Sequence, residues 1–206
     1  MGSMNSRRER KKIQVKKNIS DIALKLFLTK GFTDTTVAEI MEEADLGTGT
    51  FYNYFQSKED VLKYCLAEKI NEARHILEAI QQSHRGPSQK LSEILLAAGK
   101  NFEDNRQLIN LYMQFHRQNH ARRQSPHGPI FKEILVGVVV EGQEKGEFRK
   151  DIPTAIIIEM FMGLLQSTIT SSLETPFMDN LMHKLNIFLE GLAVKSIESD
   201  TGSNKV

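Results

Sequence analysis

The stretch TTVAEIMEEADLGTGTFYNYFQSKEDVL, residues 35–62, decides the fold of this chain. Thr36 and Glu39 have the spacing of a capping box and predict the start of one short helix, which the turn at residues 45–47 ends. A second short helix is predicted over residues 48–55, and an acidic segment then starts a third. Two short helices joined by a tight turn form a helix-turn-helix, which presents one helix to a DNA major groove.

The second short helix has an apolar face and an unusual polar face. Phe51 and Phe55 are four residues apart and are predicted to face the core. The other positions carry Thr, Gly, Tyr and Asn, whereas an ordinary exposed helix surface favours Lys and Glu. Asparagine can pair with adenine, a threonine methyl can contact a thymine methyl, and tyrosine hydroxyls can reach phosphates. DNA contact is therefore predicted, with packing of Tyr52 and Tyr54 between helices as the alternative.

This run resembles the DNA-binding domain of TetR-type (tetracycline-repressor-like) bacterial regulators. The shared pattern comprises a Gly-Phe pair, two threonines, an I-x-x-x-A helix, a second helix ending in Tyr-x-x-Phe, and a Lys-Glu segment. Here it is carried by Gly31-Phe32, Thr35-Thr36, Ile40 to Ala44, residues 49–55 and residues 58–62. Asp45 departs from the pattern, because the family usually has glycine in the turn. Its carboxylate is expected to cap the second short helix.

The resemblance implies an all-α fold with an N-terminal three-helix helix-turn-helix domain and a C-terminal helical ligand-binding and dimerisation domain. It implies a ligand-responsive transcriptional regulator, expected to be a homodimeric repressor that a small, mainly apolar effector releases from a near-palindromic operator. The alternative is a helical protein-interaction adaptor without a DNA role. The predicted DNA-binding residues are Thr36, Gly47, Thr48, Gly49, Tyr52, Asn53, Tyr54 and Lys58. Of these, Thr48, Gly49 and Asn53 are implied to lie nearest the bases.

Four segments are expected along the chain. Residues 1–14 form a basic N-terminal arm, in which residues 1–3 are interpreted as an expression-tag remnant. Residues 15–62 form the helix-turn-helix domain, residues 63–198 the ligand-binding and dimerisation domain, and residues 199–206 a disordered tail. The first seventeen residues carry seven Lys and Arg against one Glu, a net charge of +6. Such a run is either a solvated tail or, ahead of a helix-turn-helix, an arm that binds phosphates or the minor groove.

The C-terminal domain carries the predicted dimer interface and effector pocket. Apolar and small residues at helical spacing predict an interface where two helices pair with those of a second copy, the alternative being intrachain core. The predicted interface residues are Ile156, Gly163, Leu164, Ser167, Leu181, Leu185, Phe188 and Leu192. Aromatic and methionine side chains suit an apolar ligand, although such residues are more often plain core. The candidate pocket residues are Phe102, Tyr112, Met113, Phe115, His116, Phe131 and Met160.

Catalysis, cofactors and metal binding are not expected. The sequence has no nucleophile elbow, glycine-rich phosphate loop or acid–base constellation. Cys65 is expected to be a small core residue, and a single cysteine suits a reducing cytoplasm. His116 and His120 have the spacing of a metal-binding pair, but no further ligand lies near them in sequence and arginines surround them. The most apolar long stretch is interrupted by polar residues, so no membrane span is expected.

Overall fold

The computed structural model describes residues 3–118 and 128–194, and the side chains of residues 7–114 and 131–194. These ranges form nine α-helices, so the all-α prediction is confirmed. The helices are α1 (Ser3–Thr29), α2 (Val37–Glu43), α3 (Thr48–Phe51), α4 (Lys58–Gln81), α5 (Pro87–Asp104), α6 (Arg106–Gln118), α7 (Gly128–Glu144), α8 (Thr154–Ile169) and α9 (Phe177–Leu192). One antiparallel bridge joins Phe148 to Ala193.

The described chain divides into two compact units. Unit one contains the residues up to Ala73 together with residues 101–118, and unit two contains residues 74–100 together with residues 128–194. The division within α4 therefore falls after residue 73, whereas the sequence places the domain boundary after residue 62. The cause is the packing of α4, whose Cys65 and Leu66 belong to the core of unit one.

The core of unit one is built around the helix-turn-helix. Helix α1 contributes Ile19, Ala23 and Phe27, each at most 2% exposed, as their four-residue spacing predicts. Phe51 and Phe55 are also buried, which confirms the predicted apolar face of the second short helix. The other buried residues of this core are Ile40 and Met41 of α2, Val61, Leu62, Cys65 and Leu66 of α4, and Leu108 of α6.

The core of unit two is formed by the longer helices that follow. It contains aliphatic residues of α5 and α7, Phe148, and the inward faces of α8 and α9. The α9 residues are Leu181, Leu185, Phe188 and Leu192, which are 0–9% exposed. A side chain buried within its own chain offers no surface to a second copy. These four residues therefore fit the alternative of intrachain core, because the inward stripe of α9 packs on α8 and α5 of the same chain.

Helices α1 and α3 differ in extent from the predictions. Helix α3 ends at Phe51, although the second short helix is predicted over residues 48–55. Helix α1 begins at Ser3, so the basic segment predicted as an arm over residues 1–14 continues the first helix. Helix α8 ends at Ile169, and the hydroxyl oxygen of Ser171 beyond it accepts hydrogen bonds from the Leu173 amide and the Asn180 side chain. The tail predicted over residues 199–206 lies outside the described residues.

Candidate DNA-binding surface

The N-terminus of α2 is fixed by the capping box that the sequence predicts. Thr36 has extended backbone geometry, and its Oγ1 accepts a hydrogen bond from the Glu39 amide at 3.2 Å. The Glu39 carboxylate accepts the Thr36 amide at 2.8 Å and is also paired with the Lys30 ammonium. The bond from Lys30, followed by the bonds from the Thr36 amide and hydroxyl, lowers the Glu39 pKa to about 2. Thr36 itself is exposed beside this ionised, lysine-paired carboxylate.

The turn between α2 and α3 closes with a Schellman motif. The Leu46 amide donates to the Met41 carbonyl at 2.9 Å, and the Asp45 amide donates to the Glu42 carbonyl at 3.1 Å. Asp45 occupies the left-handed position with φ of 54°. The expectation that its carboxylate caps the next helix is wrong, because the N-cap of α3 is Gly47 and no side chain caps it. Asp45 instead supplies the backbone conformation for which the family usually uses glycine.

Helix α3 presents an uncharged polar face to solvent. Gly47, Thr48, Gly49 and Asn53 are exposed, while Tyr54 is half-buried against the core of unit one. The side chain of Tyr52 is 64% exposed and meets the ring of Phe51 edge-on, with centroids 5.5 Å apart. The alternative of packing between helices therefore does not describe Tyr52, whereas it does describe part of Tyr54. The exposed groups suit hydrogen bonding to base edges and close backbone approach.

Lys58 lies where α4 begins, but its ammonium points back toward the α1–α2 turn. Nζ donates hydrogen bonds to the carbonyls of Phe32 at 2.7 Å, Thr33 at 3.3 Å and Thr35 at 2.5 Å. The sequence offers no signal for these contacts, because the partners lie 23–26 residues away along the chain. A DNA phosphate bound by Lys58, which is among the predicted DNA-binding residues, would have to compete with three backbone acceptors.

Helix α1 adds an exposed basic surface to unit one. Arg7, Arg8, Lys11 and Lys12 are exposed on its N-terminal turns. At the C-terminal end of this basic run, the Lys16 ammonium lies 4.3 Å from the ring centroid of Tyr64 and 5.2 Å from that of Phe55. These cation–π contacts connect the basic run to Phe55, which follows α3, and to Tyr64 of α4.

The candidate pocket residues with described side chains are divided between the two units. Tyr112 packs against the core of unit one and Phe131 against that of unit two. Phe102 is half-buried, and Met113 is 45% exposed. The side chains of Phe115, His116 and His120 lie outside the described residues. Met160 is 58% exposed on α8.

Two surface grooves of unit two are lined by other residues. One, of about 540 Å³, lies between residues 146–151 and residues 191–194. The other, of about 640 Å³, lies along the C-terminal end of α4 and includes Ile76, Ile80 and Arg85. None of the candidate pocket residues with a described side chain lines either groove.

An exposed stripe runs along α8, and we call residues Ile156, Met160, Gly163 and Ser167 the α8 stripe. Ile156 is 48% exposed, and Gly163 has open space where a Cβ would stand. Leu164, the neighbouring predicted interface residue, is half-buried against the core of unit two. On α9, Ile187 is 72% exposed and was not among the predicted interface residues. Ile187 does not share the helical spacing of the inward stripe of α9, and this spacing is the sequence signal that predicts an exposed apolar side chain at this position.

Cys65, the single cysteine of the sequence, is buried in the core of unit one. Burial raises the pKa of the Cys65 thiol to about 12, and its Sγ lies 3.5 Å from the Ser20 carbonyl. A thiol with so high a pKa is a poor nucleophile at neutral pH. None of the described helices has the length and apolar character needed to cross a membrane.

The fold and exposed surface define a helix-turn-helix DNA-binding protein with a second helical unit. Residues 19–65 match the family "Bacterial regulatory proteins, tetR family". The chain is 24% identical over 159 residues to the "Fatty acid metabolism regulator protein" of Bacillus subtilis, covering 74% of this chain and 80% of that protein. The repressor KstR2 of Mycobacterium tuberculosis is 24% identical over 166 residues, or 76% of each chain.

Solved structures share the fold beyond the helix-turn-helix. A TetR/AcrR family regulator from Thermobifida fusca superimposes with a TM-score of 0.71 at 20% identity, covering 85% of this chain and 97% of that one. The structure of the ketosteroid transcriptional regulator KstR2 of Mycobacterium tuberculosis gives a TM-score of 0.60 at 21% identity, covering 87% of this chain and 95% of that one. Residues 19–65 of this chain therefore form a TetR-family helix-turn-helix domain, and the relatives named here that resemble the chain over most of its length are transcriptional regulators.

Proposed function

We propose that this chain is a homodimeric repressor that binds a near-palindromic DNA operator and is released by a small, mainly apolar effector. The observation that carries the proposal is the exposed, uncharged face of α3 above the buried Phe51. An exposed Asn53 beside Thr48 and Gly49 offers amide, methyl and backbone groups to base edges. Thr36, Tyr52 and Tyr54 supply hydroxyl groups for phosphates on either side.

Helix α1 is proposed to add phosphate contacts outside the helix-turn-helix. Its basic run carries a charge of +6 over residues 1–17, and positive side chains recur at three- and four-residue spacing. The logarithm of the binding constant falls linearly with the logarithm of the salt concentration. Each phosphate that a Lys or Arg neutralises makes this slope steeper by about 0.9. Replacement of Arg8 and Lys12 by glutamine is therefore expected to reduce that slope by up to about 1.8.

The second copy is proposed to pack on the α8 stripe. Ile156 and Met160 are about half exposed, and a large apolar residue at this exposure is stabilised when a partner covers it. Gly163 and Ser167 on the same stripe are small enough for a second helix to approach closely. A two-fold dimer would place two recognition helices about one DNA turn apart and thus favour a near-palindrome.

The effector is proposed to be an apolar molecule that binds unit two. Two relatives are named for regulation of fatty acid metabolism and for a ketosteroid, and both kinds of compound are largely apolar. The core of unit two is rich in Ile, Leu, Val and Phe, so a cavity opened within it would favour such a ligand. Effector binding is proposed to favour a dimer conformation with low operator affinity.

A genomic pull-down tests the proposal directly. Purified protein is mixed with fragmented genomic DNA at two salt concentrations, and the retained fragments are sequenced. A shared near-palindrome that is lost at high salt supports the repressor proposal, and the adjacent genes then suggest effectors to add. Without an enriched motif, with or without cell extract, DNA recognition would be excluded and the interaction-adaptor alternative favoured. Sedimentation of the pure protein gives the oligomeric state independently.

A further inference from the structure

The Lys58 ammonium has a complete set of hydrogen-bond acceptors within the chain. Its three N–H groups correspond to three carbonyls, those of Phe32, Thr33 and Thr35, at 2.5–3.3 Å. Nζ also lies 4.9 Å from the centroid of the Phe32 ring. The charge thus occupies a site lined by carbonyl oxygens and an aromatic face, both of which attract cations.

The carbonyls that Lys58 binds belong to the loop between α1 and α2. This loop begins at Gly31, whose φ of 100° turns the chain away from α1. The buried hydroxyl of Thr35 donates back to the Gly31 carbonyl at 2.7 Å. Helix α2 starts immediately after this loop, with Thr36 as its N-cap. The position of the Thr36 hydroxyl therefore depends on the loop that Lys58 holds.

We propose that Lys58 is a positioning residue: it binds the carbonyls of residues 32, 33 and 35, and so holds the N-terminus of α2 in place for DNA. This role differs from a phosphate contact, in which the Lys58 ammonium would bind a phosphate of the DNA. The proposal rests on the proposed DNA-binding function, since its effect on affinity acts through Thr36 and α2. Its effect on the loop is independent of DNA.

The two roles predict different salt dependence. A lysine that neutralises a phosphate contributes about 0.9 to the slope of log affinity against log salt. A lysine that holds a loop contributes to affinity at every salt concentration and leaves that slope unchanged. The slope therefore separates positioning from direct phosphate contact, whereas a loss of affinity alone does not.

The test compares Lys58→Met with Lys63→Met, which removes an exposed charge on the same helix. The Lys63 ammonium lies 3.7 Å from Asp60 and contacts no carbonyl of the loop. Binding is measured by fluorescence anisotropy at four salt concentrations, on the selected operator and on a mixed-sequence 30-base-pair duplex. For Lys58→Met we expect at least fivefold weaker operator binding with the wild-type slope. A slope smaller by about 0.9, or unchanged affinity, would overturn the proposal.

A second measurement is independent of DNA. Lysine ammonium protons that are held in hydrogen bonds exchange slowly enough to give a ¹H–¹⁵N signal in ammonium-selective NMR. The DNA-free wild-type protein is expected to show such a signal, assigned to Lys58 by its absence in Lys58→Arg. Its absence from the wild-type spectrum would contradict the positioning role. If the protein bound no DNA yet showed this signal, the proposed function would fail while the hold on the loop stood.

Discussion

The exposed faces of the two units differ in chemical character, although both units bury aliphatic and aromatic cores. Unit one exposes threonine, glycine, tyrosine and asparagine along α3. Unit two exposes Ile156 and Met160 along α8 and Ile187 on α9. A polar face without charge suits hydrogen bonding to bases, and an apolar face suits another apolar face. We therefore expect each unit to bind its own kind of partner, which separate substitutions can test.

The largest effects are expected from emptying one core at a time. Phe51 of unit one and Phe161 of unit two are both 0% exposed, and each belongs to a separate apolar cluster. Phe51→Ala and Phe161→Ala should each cost about 3–5 kcal/mol of unfolding free energy. Phe51→Ala should abolish DNA binding and preserve the dimer mass, measured by sedimentation and calorimetry. If the dimer disappears as well, the two cores unfold together and the comparison fails.

Substitutions at two glycines of unit two test its core and its exposed surface separately. A Cβ at Gly142 would stand 2.1 Å from a ring carbon of buried Phe148, so Gly142→Ala should cost about 1–3 kcal/mol through overpacking. A Cβ at Gly163 would meet nothing within 4 Å, so Gly163→Leu should leave the fold of the single chain intact. Its expected effect is at least tenfold weaker dimerisation, measured by sedimentation equilibrium. An unaltered dimer in Gly163→Leu would exclude the α8 stripe as the interface.

Tyr52 tests the polar face of unit one. Because its side chain is 64% exposed, Tyr52→Ala should weaken operator binding more than tenfold with little change in melting temperature. Tyr52→Phe keeps the edge-on contact with Phe51 and removes only the hydroxyl, so it separates stacking from hydrogen bonding. Anisotropy titrations give the affinities and circular dichroism the melting temperatures. Equal affinity of Tyr52→Ala and wild type would remove Tyr52 from the DNA-binding surface.

The smallest effect concerns acid stability at the start of α2. The Glu39 pKa is lowered to about 2 from 4.5, first by the Lys30 hydrogen bond and then by the bonds from Thr36. A lowered folded-state pKa means that the unfolded chain binds more protons, so this contribution is present above pH 4.5 and is lost toward pH 2. The melting-temperature difference between wild type and Glu39→Gln should therefore shrink between pH 5.5 and pH 2.5. A constant difference over that range would contradict the role assigned to the ionised carboxylate.

Local features of unit one could be predicted because they depend on short sequence spacing. The capping box needs only Thr36 and Glu39 three residues apart, and the buried faces follow from four-residue periodicity. The same logic was insufficient on α9, where periodicity identified an apolar stripe at Leu181 and Leu185 but not its partner. A stripe that packs within the chain and a stripe that packs on another copy have the same spacing.

By itself, the sequence determined the all-α class, the helix-turn-helix and the exposed residues of α3. These features depend on turns and on helical periodicity, which involve only residues close together in the sequence. Only the tertiary structure decided which α9 face is core and that Met160 is exposed. It also decided that the Lys58 ammonium meets the carbonyls of a loop more than twenty residues away. Contacts between distant segments depend on how helices pack, which no local spacing encodes.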